Sequence, residues 1–230
     1  MPQIDALIFD LDNTLWDVGP VILRAERMLI EFLAREYPRV TQRHTAESMR
    51  DLRARMALEH PSMRHDFTWL RQEALRRLAR EARYPEAMAE EGFEVFFRAR
   101  NEVALYDDVL PALSQLSPRW RLFAISNGNA DLSAIGLAHF FERSLSAREA
   151  GMLKPDPRIF TMLLEQAGLA TDRVAHVGDD PKADVEGARR AGVLPIWLNR
   201  GGAPWPAPPP APPLHIRTLG ELRAVLAGLS

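Results

Sequence analysis

The chain contains no cysteine in 230 residues, so neither a disulfide nor a thiolate metal site can be built, and a cytoplasmic location is expected. Lysine is almost as scarce. Lys154 and Lys182 are the only two, and every other member of the 29 basic residues is arginine. Each retained lysine therefore marks a position where a planar guanidinium does not simply replace a compact ammonium. Apolar runs are short and interrupted, well under the roughly 20 residues that a membrane-spanning helix needs. Asp5, Asp10 and Asp12 stand where an export signal carries a basic start and an unbroken apolar stretch, so no export by that route and no membrane partner are expected. A strong charge of one sign is missing too. The formal net charge of -2 offers no basic footprint for nucleic acid.

What is present fits one globular core with a modest insertion. The runs 6–12, 121–126, 173–178, 194–198 and 215–219 are short, apolar and rich in β-branched or aromatic residues, which predicts strands. Helical patterns alternate with the later strands. Asp156, Pro157 and Gly168 bracket one helix, and Asp180, Pro181 and Gly192 bracket the next, as N-cap, first-turn proline and C-terminal stop. Such alternation predicts an α/β fold with a doubly wound parallel sheet. Residues 17–100 differ. Their amphipathic patterns predict several helices and no strand, so an all-helical domain over 17–100 interrupts a core made of 1–16 and 101–230. The proline-rich stretch 201–213 is expected to be an extended loop.

Ligands of open α/β sheets bind at the carboxyl ends of the strands. Polar residues cluster at those ends: Asp10 and Asp12, Ser126 and Asn127, Lys154 ahead of a capped helix, and Asp179 with Asp180 and Asp184. Carboxylates converging without histidine or cysteine suit a hard cation such as Mg²⁺. The neighbouring hydroxyl, backbone amides and lysine suit a phosphate-sized anion.

The order "DLDNT", "SNG", "KPD", "GDDPKAD" resembles the four motifs of the haloacid dehalogenase superfamily, and more closely its phosphatases with a helical cap after the first motif. The similarity spans essentially the whole chain, including "WLNRGG" and the final "TLGELRAVL". It implies a Rossmann-like core and a Mg²⁺-dependent phosphomonoesterase acting on a small phosphate ester. By the same resemblance Asp10 is the nucleophile that forms an aspartyl-phosphate, and Asp12 is the acid and base. Thr14, Ser126, the Asn127 amide and Lys154 hold the phosphoryl group. The metal is held by the Asp10 side chain, the Asp12 carbonyl and Asp179, with Asp184 behind them orienting waters or Lys154.

Other functions fit less well. Haloacid dehalogenases of the superfamily share the look of "KPDPRIF" but lack the second aspartate of the first motif, which Asp12 supplies here. The phosphonate hydrolases use a cap lysine, and residues 17–100 contain none. A phosphosugar mutase shares the catalytic set and ranks second; a non-catalytic phosphate-binding module would bind the same ions and release no phosphate. Several residues have plainer readings. Asp180 reads as an N-cap, Lys182 as a solvated helix residue, His176 as a packed or partly exposed strand side chain, and Trp16 and Asp17 as either substrate contacts or packing and hinge residues. Asn13 suits an unusual backbone angle.

Overall fold

The computed structural model describes residues 3–206 and 214–228. The chain divides into two compact units, Met1–Asp17 with Ala104–Ser230, and Val18–Val103.

The first unit is a six-stranded sheet of β1 (Ala6–Phe9), β2 (Arg121–Ser126), β3 (Arg143–Ser146), β4 (Val174–Gly178), β5 (Leu194–Leu198) and β6 (Leu214–Ile216). All pairings are parallel, in the order β3-β2-β1-β4-β5-β6. Ala6 to Phe9 are each 0% exposed, as expected for a central parallel strand covered on both faces. Burying Leu7, Ile8 and Phe9 contributes about 2 kcal/mol each. The chain winds outward from β1 through β2 and β3, then crosses back to continue with β4 on the other side of β1. The switch in direction therefore falls at β1, and the ends of β1, β2 and β4 lie side by side.

Three strand expectations need correction. β1 stops at Phe9 rather than at residue 12, because the acidic turn that follows leaves the sheet. The terminal strand covers Leu214–Ile216 only, and Thr218 with Glu221 instead form a capping box. β3 is a strand that alternation did not reveal: its "RSLS" has two exposed positions and lies at the sheet edge, where apolar patterning is weakest. The expected proline-rich loop is described through Pro206, and residues 207–213 lie outside the described residues.

The second unit holds helices α1 (Val18–Glu36), α2 (Pro38–Thr41), α3 (Ala46–Glu59), α4 (Phe67–Ala82) and α5 (Ala87–Arg100). Their apolar stripes meet in one core that includes Leu29, Leu33, Leu75, Leu78, Met88 and Phe96. Thr45 accepts the Ser48 amide and Asp66 the Trp69 amide, capping α3 and α4. Beneath α1 lies a buried ionic cluster. Glu26 accepts from Arg53, with Arg50 and Arg71 both 3.7 Å away. Arg71 is itself buried and sits over the Phe96 ring at 3.4 Å. Among the described residues no helix is long and apolar enough to cross a membrane.

The remaining helices of the first unit are α6 (Val109–Leu116), α7 (Leu132–Ile135), α8 (Ala147–Ala150), α9 (Arg158–Ala167), α10 (Gly187–Arg190) and α11 (Leu222–Ala227). α9 covers one sheet face: its Ile159, Phe160, Leu163 and Leu164 join Ile8, Phe123, Ile125 and Val174 in one cluster.

Candidate active site

The Asp10 amide donates to the Val177 carbonyl at 2.9 Å, so the first residue beyond β1 is still fixed by β4. Its carboxylate emerges where β2 and β4 also end. Lys154 reaches the same point from the segment before α9. Its Nζ donates to Asp10 Oδ1 and Asp184 Oδ1, each at 2.6 Å, and to the Ile125 carbonyl at 3.0 Å. All three ammonium protons thus have partners in a site where Lys154 is 4% exposed.

Asn127 sets the lysine backbone. Its Oδ1 accepts the Lys154 amide at 2.8 Å and its Nδ2 donates to the Lys154 carbonyl at 3.1 Å. Ser126 Oγ accepts the Gly128 amide at 2.9 Å. The small turn therefore folds around the hydroxyl, whose proton can still be donated outward. Thr14 is fully buried and its Oγ1 has no partner among the described residues; an unsatisfied buried hydroxyl costs about 1–3 kcal/mol.

The segment after β4 places the acidic residues. Asp180 Oδ1 accepts the amides of Lys182 and Ala183 at 2.7 and 2.8 Å, the N-cap role read from sequence. The helix it starts is wound as a π-helical turn over Pro181–Glu186 before α10. This turn folds Asp184 back against the strand end. Gly178 permits the approach, since a Cβ there would lie 2.2 Å from Asp184 Cγ. Asp184 is then saturated: Oδ1 meets Lys154 and His176 Nε2 (2.9 Å), and Oδ2 accepts the Asp180 amide at 2.9 Å.

The electrostatics separate the three carboxylates. Burial alone would raise Asp184, but Lys154 and His176 outweigh it and hold the carboxyl well below the usual range. Asp10 is pushed up, first by burial and then by the charge of Asp184, with Lys154 opposing. Burial would lower Lys154, yet Asp10 and Asp184 together hold it above its ordinary value. Asp179 is raised to about 7 by burial and by the charges of Asp184 and Asp180. It forms no ion pair among the described residues.

Ligand oxygens of Asp10, Asp179 and Asp184 lie within 4.8 Å of one another. The donor set is entirely hard oxygen, and its charge is three carboxylates against one ammonium, so it fits a cation of the Mg²⁺ type. Asp184 enters this cluster although its oxygens are already engaged, whereas the Asp12 side chain stays outside it. Asp12 Oδ1 instead accepts from Trp16 Nε1 at 2.9 Å, and Asn13 between them takes a left-handed φ of 63°.

Several partners escaped the sequence reading. His176 is 1% exposed and in contact with Asp184, not partly exposed; burial lowers its pKa against the opposing pull of that carboxylate. A polar residue two before Gly178 in an otherwise apolar strand was the available signal. Trp197 Nε1 donates to the Asp179 carbonyl at 2.8 Å. Arg200 donates to the Thr14 carbonyl and pairs with Asp108, a contact across 186 residues that no local pattern announces.

Known proteins resemble the chain along most of its length. A 5-amino-6-(5-phospho-D-ribitylamino)uracil phosphatase of Escherichia coli is 32% identical over 86% of this chain and 84% of its own. A phosphoserine phosphatase of Thermus thermophilus is 38% identical over 67% of this chain and 63% of its own. Among solved structures, a 2-haloacid dehalogenase from Pseudomonas syringae pv. Tomato superposes with a TM-score of 0.94 at 37% identity, covering 99% of this chain and 100% of that one. Residues 4–192 match the haloacid dehalogenase-like hydrolase family, and with the Asp10, Lys154 and Asp184 cluster at the carboxyl ends of a Rossmann-like parallel sheet, the chain belongs to that family of hydrolases.

Proposed function

We propose that the protein is a Mg²⁺-dependent phosphomonoesterase that hydrolyses a small phosphorylated metabolite through an aspartyl-phosphate on Asp10. The observation that carries this reading is the imbalance at the site: three carboxylates offer oxygens within 4.8 Å of one another, Lys154 pairs with two of them, and Asp179 has no ion pair among the described residues. Such a cluster favours a bound cation together with the dianionic phosphoryl group it can help hold. The identities of two curated relatives as phosphatases support the same class of substrate.

In the first step a carboxylate oxygen of Asp10 attacks phosphorus, the bond from phosphorus to the ester oxygen breaks, and Asp12 gives its proton to the departing alkoxide. In the second step water attacks phosphorus, its proton passes to Asp12, and the Asp10–phosphorus bond breaks to release phosphate. The Trp16 indole fixes the Asp12 carboxylate for both transfers. Lys154, the Ser126 hydroxyl, the Thr14 hydroxyl and the Asn127 amide surround the phosphoryl oxygens, and since phosphoryl transfer depends on positioning and charge, this set is of the required kind. The metal would be held by Asp10, Asp179 and the Asp12 carbonyl, with Asp184 orienting Lys154; when bound it supplies positive charge that keeps Asp10 and Asp179 ionised.

A second reading has one observation in its favour, the close structural likeness to a 2-haloacid dehalogenase. Halide departs without a proton, so that chemistry gives Asp12 no proton to deliver and the unpaired Asp179 no cation to hold. The experiment is a panel of phosphomonoesters and 2-haloacids with Mg²⁺ and with chelator. Phosphate release that requires Mg²⁺ is expected; halide release indifferent to chelator, with no ester cleaved, would replace the phosphatase with the dehalogenase.

A further inference from the structure

We infer that Arg200 is a positioning residue for the proposed reaction: it latches the loop carrying Asp12 by holding the Thr14 carbonyl. The loop after β1 is nearly closed on itself. The amides of Thr14 and Leu15 donate to the Leu11 carbonyl at 3.2 and 2.8 Å, the Asn13 amide to the Trp16 carbonyl at 2.7 Å, and the Trp16 indole to Asp12. The Thr14 carbonyl is one of the acceptors through which this loop is tied to a distant segment. Arg200, just past β5, donates to it from Nε at 3.3 Å and from Nη2 at 3.0 Å.

The guanidinium is itself held on three sides. Nη1 and Nη2 each donate to an Asp108 oxygen at 3.0 Å, and the group lies over the Tyr106 ring at 4.1 Å. Asp108 also accepts the Leu219 amide at 2.7 Å. Tyr106 belongs to the returning chain, whose amide donates to the Leu15 carbonyl at 3.0 Å while Leu105 bridges Trp16. Arg200 thus joins the nucleophile loop, the returning segment, the end of β5 and the C-terminal turn. The planar fork serves the carbonyl and both carboxylate oxygens in one fixed geometry, which a single ammonium nitrogen on a flexible stem does not reproduce.

The consequence is kinetic. Loosening the loop leaves Asp10, Lys154 and Asp179 on their strand ends but lets Asp12 drift, and a displacement of about 1 Å at a reacting group can cost about a hundredfold in rate. The kinetic arm rests on the phosphatase reading, and a second arm does not. Arg200→Lys, which keeps a positive charge beside Asp108 and hence the fold, and Arg200→Gln are compared with the unaltered protein on p-nitrophenyl phosphate with Mg²⁺. In parallel, hydrogen exchange is followed at the amides of 13–16 and of β1.

The expected result is a kcat about tenfold lower for Arg200→Lys and lower again for Arg200→Gln, with KM within about twofold, and faster exchange confined to 13–16. A well-folded variant with unchanged kcat and unchanged loop exchange overturns the inference, as does a loss appearing only in thermal stability. If the unaltered protein cleaves no ester, the phosphatase reading fails by itself and the exchange at 13–16 decides the role of Arg200.

Discussion

Two buried ionic clusters in this chain are built with opposite imbalance. In the sheet unit one lysine meets Asp10 and Asp184 while Asp179 stands by unpaired; in the helical unit one carboxylate, Glu26, meets Arg50, Arg53 and Arg71. The helical cluster relieves its excess internally. Arg50 is half exposed, Arg53 makes the short contact, and Arg71 spreads its charge over Phe96, although burial and the nearby Arg53 still lower its pKa to about 9. The sheet cluster has no comparable relief. Its excess negative charge is left at the ends of the strands, where the proposed cation would be held.

Substitutions can break that comparison. The largest effect is expected for Asp10→Asn, which should reduce turnover by about a thousandfold or more while near-ultraviolet circular dichroism stays native; retained turnover would exclude Asp10 as nucleophile. Next comes Lys154→Met, which leaves two buried carboxylates uncompensated. It should abolish activity and cost about 3 kcal/mol of stability, read from urea unfolding.

Asp179, which forms no ion pair among the described residues, predicts a pH dependence in the acidic to neutral range. Its folded pKa of about 7 exceeds the unfolded value of about 3.9, so the folded state binds the extra proton and the metal-free protein loses stability from this group as pH rises from about 4 to 7. Asp10, also raised, adds in the same direction. Asp184, held low, acts oppositely: its contribution is present above the unfolded pKa and is lost as pH falls further. Mg²⁺ should therefore raise the melting temperature more at pH 8 than at pH 5, and Asp179→Asn should remove most of that difference. An equal gain at both pH values would separate the cation from Asp179.

The helical cluster sharpens the contrast from the other side. Glu26→Gln leaves three arginines facing one another and should destabilise by about 2 kcal/mol, with no response to Mg²⁺. Arg50→Gln should be nearly silent, within about 0.5 kcal/mol, because Arg50 is half exposed and 3.7 Å from its partner; a larger loss in thermal unfolding would mean that the excess charge is not dispensable.

Much of the site was legible because strand ends and motif spacing are local. Asp10, Ser126 and Asp179 each lie at or just past the end of a run whose composition announces a strand, and Asp180 and Gly192 punctuate a helix in the ordinary way. Edge strand β3 was invisible because half of "RSLS" faces solvent. His176 is packed, one of the two readings its sequence position offered, but its contact with Asp184 was not legible, because Asp184 arrives through a π-helical turn that periodicity cannot distinguish from an α-helix.

By itself the sequence determined most of the element types, the order of the four motifs, the oxygen-rich donor set and the absence of thiolate chemistry, since these depend on residue type and near-neighbour spacing. Only the tertiary structure decided which carboxylate is satisfied and which is left unpaired. Asp184 and Asp179 have the same side chain and are five residues apart, yet one lies under Lys154, His176 and the Asp180 amide and the other under none of them. The same holds for Arg200, one arginine among many in the sequence, whose role comes from a carbonyl 186 residues away. Charge state and positioning follow burial and long-range contact, which chain order does not carry.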